Sequence, residues 1–127
     1  MNTFQSVYQQ QSWGPNLQPN SKAQLVLLFG SRMLATNVDI QNNLAAKYPN
    51  AEIIGCTTSG EISDTRIYDE SLCLTAVEFK SSEIDVFTVN ITSDPSYAFK
   101  ELAEHFSKPN LKSLFVISDG QMVNGTD

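Results

Sequence analysis

The chain is poor in the residues from which most catalytic and metal centres are built, with two cysteines, one histidine and eight basic residues among 127. Cys56 and Cys73 lack the paired spacing of a metal knuckle and are too few for a disulfide framework, so both read as reduced thiols. Eight basic against fourteen acidic residues leave a net charge of -6. That balance repels phosphate backbones and anionic lipid heads, which argues against nucleic acid or a membrane as partner. No apolar run approaches the ~20 residues of a spanning helix. The opening Met1-Asn-Thr-Phe4 has no basic region followed by an apolar stretch, so no secretory signal is read and the expected compartment is the cytoplasm. The sequence also lacks a Gly-x-Ser-x-Gly elbow, a Gly-x-x-x-x-Gly-Lys phosphate loop and a dinucleotide fingerprint. No spaced pair of carboxylates suggests acid and base roles, and no local motif joins His105 to Cys56. The chain is therefore not expected to be an enzyme.

What is present is enough apolar material for a core. Hydrophobic residues make up 41% of the chain, and a domain of this size removes about two thirds of its unfolded surface from water. Residues 1–20 are rich in Gln and Asn and are expected to form an irregular arm, with one short strand around Phe4 to Tyr8 and with Trp13 anchoring it. Residues 21–127 read as the domain proper. Leu25 to Phe29, closed by Gly30, reads as a strand covered on both faces and as the central one. Thr36 and Asp39 form an expected capping box for a helix whose Ile40, Leu44, Ala45 and Tyr48 recur at helical spacing until Pro49. A second buried strand then runs from Glu52 to Gly55, which makes a βαβ unit. Residues 63–70 read as a polar connection, and the alternation across residues 71–91 reads as an antiparallel hairpin. A helix capped by Asp94 should start at Pro95 and bury Phe99, Leu102, Ala103 and Phe106. Leu114 to Ile117 should form a further buried strand. The fold class is thus α/β, a mixed sheet with flanking helices. Asn124, Thr126 and Asp127 are helix-capping types at the end of the chain, so the domain is expected to be cut short, which would leave the last strand partly uncovered.

The stretch that carries most chemistry is Ala51-Glu-Ile-Ile-Gly-Cys-Thr-Thr-Ser-Gly-Glu-Ile62. Here an apolar strand enters a turn holding one thiol, three hydroxyls, two glycines and a carboxylate. Such a turn suits close approach of a small partner to backbone N–H groups, and it also reads as a plain connection between two strands. Gly55, Cys56, Thr57, Thr58, Gly60 and Glu61 resemble the signature of the N-terminal part of the FIST domain, a sensory module of signalling proteins. The likeness extends more loosely to Leu25–Phe29, Tyr48-Pro49 and Ile117–Gly120. The resemblance implies a domain that binds a small ligand, an amino acid or similar polar metabolite, and passes occupancy to a downstream output domain.

In open α/β sheets ligands bind beyond the carboxyl ends of strands. The expected ligand-binding residues are Cys56, Thr57, Thr58, Ser59, Gly60 and Glu61, joined by Arg32 after the first buried strand and Asp119 after the last. N–H groups of residues 57–60 and Arg32 suit a carboxylate, and Glu61 or Asp119 suits an ammonium. Arg32 equally reads as a solvated charge, Asp119 as part of an Asx turn and Glu61 as a cap on a backbone donor. No cofactor is expected. One alternative is haem, since some relatives in the resembled family are regarded as nitric oxide sensors, with His105 as the available axial ligand. Another is a protein-interaction module without a small ligand.

Overall fold

One sheet takes up the apolar run of Leu25–Gly30, the alternation of Leu72–Glu78 and the more polar Asn2–Gln9. The computed structural model of the chain describes residues 1–14, 17–91, 95–120 and 123, in two units, Met1–Ile84 and Asp85–Asp127. In the first unit the elements are β1 (Asn2–Gln9), β2 (Ser12–Trp13), β3 (Leu25–Gly30), α1 (Arg32–Ala35), α2 (Val38–Lys47), β4 (Glu52–Thr57), β5 (Glu61–Ser63), β6 (Arg66–Tyr68) and β7 (Leu72–Glu78). Five strands form a sheet in the order β2-β1-β7-β3-β4, with β3 and β4 parallel and the other pairs antiparallel. The expected mixed sheet and βαβ unit are both present.

Register explains where the core lies. Val26 sits opposite Ala76 and Leu28 opposite Leu74, so one face of the sheet presents Val26, Leu72, Leu74 and Ala76 to Ile40 and Leu44 of α2 and to Tyr48. Leu44, Leu72 and Leu74 are at most 1% exposed, and burial of each contributes about 2 kcal/mol. The arm does more than lie across the surface. Leu17 joins the core, and Trp13 packs against it while meeting Tyr8 edge to face at 5.3 Å.

Several expectations need correction. The central strand is β7, because β1 pairs along one of its edges and β3 along the other. For the same reason no hairpin spans residues 71–91: β7 has no edge left for a partner, and residues 81–90 form no strand. β4 is not buried but forms the sheet edge, with Ile53 37% exposed. The cap of α2 is Asn37, whose Oδ1 accepts from Asp39 N at 3.0 Å and Ile40 N at 3.1 Å. Thr36 instead closes the single turn of α1, its Oγ1 donating to Arg32 O at 2.9 Å. Residues 63–70 are not a plain connection either. β5 and β6 form a two-stranded hairpin with Ile62 opposite Ile67, too short for alternation to reveal.

In the second unit α3 spans Pro95–His105. Among its described residues Ala98 is buried, while Phe99 and Ala103 of the expected stripe are exposed. Asp94, expected to cap it, lies outside the described residues, as do Asn124, Thr126 and Asp127. Leu114 to Ile117 form no strand, and Leu114, Phe115 and Val116 are exposed. No neighbour supplies a ladder for them among the strands of the described residues. Asp85 ties the unit together, accepting from Lys108 Nζ and meeting His105 Nε2 at 3.0 Å. Those bonds, that of Lys108 first, hold its carboxyl below the usual aspartate range. No helix among the described residues is long and apolar enough to cross a membrane.

Candidate functional site

Parallel pairing places Gly30 beside Thr57, so the segments that leave β3 and β4 emerge at one end of the sheet. Antiparallel pairing brings the start of β7 to the same end, with Gly30 opposite Leu72. Backbone bonds fasten the three together: Thr58 N donates to Gly30 O at 3.0 Å and Ser31 N to Ser71 O at 2.9 Å. Two glycines permit this closeness. A Cβ on Gly30 would lie 2.2 Å from Ser71 O, and one on Gly55 would lie 1.7 Å from Leu28 O, so larger residues would force the strands apart.

Glu61 is the buried charge of this region, only 4% exposed. Thr58 Oγ1 donates to its Oε1 at 2.6 Å, and Ser71 Oγ donates to its Oε2. Each carboxylate oxygen thus has a hydroxyl partner, one from the turn after β4 and one from the residue before β7. The carboxylate closes the signature turn onto the neighbouring strand. Bonds to a charged acceptor of this kind contribute about 1.5–3 kcal/mol each, enough to offset its desolvation.

Cys56 and Cys73 both stand in register with Phe29, Cys56 across β4 and Cys73 across β7. They share a sheet face but are two strand spacings apart, about 9.5 Å, beyond the reach of a disulfide. Cys56 is exposed. Burial and then the Glu61 charge push the Cys73 thiol up, against a hydrogen bond with Ser63 that pulls it down.

Beside the turn lies a cleft of about 510 Å³ between the helices and β4. Ala35, Gln41, Asn42 and Leu44 border it from one side and Ile53, Cys56 and Thr57 from the other, and every residue lining it is uncharged. Gln41 Nε2 donates to Ala35 O at 2.9 Å, which leaves its Oε1 as an acceptor. Of the expected site residues, Cys56 and Thr57 border this cleft, Thr58 and Glu61 bond to each other, and Ser59 and Gly60 are exposed in the turn. Arg32 is exposed at the start of α1, directly after β3. Asp119 belongs to the second unit, where its carbonyl accepts from Val123 N at 3.0 Å. Sequence reading missed Ser71, Gln41 and Asn42. Ser71 is ten residues from Glu61 with no periodicity joining them, and the two amides sit on a helix whose pattern marks only its apolar face.

Over residues 24–127 the sequence matches the model of the FIST N domain. The chain belongs to the FIST N domain family. FIST domains are sensory modules of signalling proteins, a binding family rather than a catalytic one. Comparisons with curated proteins and with solved structures gave no match. In this FIST domain the matched region begins at Gln24, ahead of β3, so the sheet strands β1 and β2 precede it. His105, its one imidazole and the axial ligand of the haem alternative, meets Asp85 through Nε2 at 3.0 Å and stacks its ring on Phe87 at 4.2 Å. Iron at Nε2 would have to displace Asp85. Among the described residues no group of three or more His, Cys, Asp or Glu side chains could hold a metal ion.

Proposed function

We propose that this FIST domain is a cytoplasmic sensory input module that binds an amino acid or similar polar metabolite at the carboxyl ends of β3 and β4. Occupancy passes to a downstream signalling protein or output domain. The observation that carries this reading is the parallel pairing of β3 with β4, which sets Arg32 and the Cys56–Glu61 turn at one sheet end beside an uncharged cleft. A ligand carboxylate would meet Arg32 and the N–H groups of Ser59 and Gly60. Its ammonium would meet Gln41 Oε1 and the Thr57 hydroxyl, since Glu61 is buried against Thr58 and Ser71. The cleft would take a neutral side chain, because a charged one would lose water there without gaining a partner. Two or three charge-assisted bonds of about 1.5–3 kcal/mol each support binding near the micromolar range.

Calorimetric titration of the chain with each of the twenty amino acids tests this. The expected result is heat with one or a few of the uncharged ones, weakened about tenfold in Arg32→Ala by loss of one such bond. No heat with any of them would sink the reading.

A further inference from the structure

β4 has the composition of a covered strand and the position of an uncovered one. Its run Glu52-Ile-Ile-Gly-Cys-Thr57 is the last strand of the sheet, and all of it but Ile54 is exposed. The bonds from Glu52 N to Gln24 O and from Thr58 N to Gly30 O bracket its pairing with β3. Even-numbered residues therefore face β3, and Ile53, Gly55 and Thr57 turn both N–H and C=O outward. No strand among the described residues takes up that row.

Edge strands are ordinarily guarded against pairing by lysine, proline, a bulge or shortness. β4 has neither lysine nor proline, and its six-residue register with β3 is unbroken. Its one charge is Glu52, in a chain of net charge -6. A second copy would bring the same net charge and no basic residue in its own β4, so pairing β4 with β4 leaves Glu52 without a cation, which a basic segment of another protein supplies.

We infer that the outer edge of β4 accepts an extended segment of a separate protein as a sixth strand, with a lysine or arginine of that segment facing Glu52. Main-chain bonds to Ile53, Gly55 and Thr57 provide the affinity, and the basic side chain sets the register. The inference does not rest on the amino-acid site: it uses main-chain groups and Glu52, although Ile53, Gly55 and Thr57 also line that cleft.

The probe is a synthetic peptide of alternating valine and threonine with one lysine, added to the whole 127-residue chain while amide exchange is followed by NMR. Saturating peptide should slow exchange at Ile53, Gly55 and Thr57 about tenfold. The same peptide N-methylated at alternate residues should have no effect, and one with glutamate for lysine should bind more weakly. Glu52→Lys should reverse that charge preference. Ile53→Pro removes an outward N–H without removing a bond to β3, and it should abolish the response. Equal binding by the N-methylated peptide would overturn the inference. So would slow exchange at those three amides in the dilute chain alone, or protection that appears only as the chain self-associates.

Discussion

At position 61 a single carboxylate does what a backbone ladder does elsewhere, holding two stretches of chain side by side. With Glu61 buried and both oxygens bonded to hydroxyls, Glu61→Ala leaves Thr58 and Ser71 without their acceptor. It should lower unfolding free energy by about 2 kcal/mol in urea titration, and Glu61→Gln, which keeps one acceptor, by less. Unchanged stability in Glu61→Ala would show that the clamp contributes nothing. The two thiols should also differ. Maleimide should label Cys56 alone in the native chain and both cysteines in denaturant, because Cys56 is exposed while Cys73 is half-buried with its thiol pushed toward the protonated form. The signature residues were legible from the sequence because glycine, hydroxyls and carboxylate cluster within a few positions. The bond from Ser71 to Glu61 was not, since it depends on β7 starting where β4 ends.

Among the elements, α2 was legible through its apolar spacing and Pro49, and β3 and β4 through their apolar runs. The β1–β2 hairpin was hidden, because its two-residue loop is Gln10-Gln11 and carries no Asn-Gly signal. Both residues adopt left-handed backbone, φ 52° and 64°, at a steric cost that asparagine and glycine avoid. Gln10→Asn with Gln11→Gly should therefore stabilise the chain by about 1 kcal/mol, measured by urea or thermal unfolding. Alternation in Leu72–Glu78 correctly marked a strand with one buried face. It carried no information on which strands lie at its two edges, so the neighbours β1 and β3 came as a correction to the expected hairpin.

For the whole molecule, the family match starts at Gln24, yet β1 pairs with β7 along its full length from Tyr8↔Leu72 to Asn2↔Glu78. A chain beginning at Gln24 should lose cooperative thermal unfolding by circular dichroism. Its central strand would expose an apolar edge, and the core would lose Leu17 and the packing of Trp13. Retained cooperative melting would mean that the matched region is a folding unit without its arm. The sequence by itself determined the α/β class, the β3–α2–β4 unit, the FIST family and the position of the signature turn, because these follow from local periodicity, proline and glycine placement, and short motifs. Only the tertiary structure decided that β7 is central, that β4 is an edge, and that Glu61 reaches Ser71. A side-chain pattern states which residues share a face, whereas strand order rests on backbone N–H and C=O groups that are the same at nearly every residue.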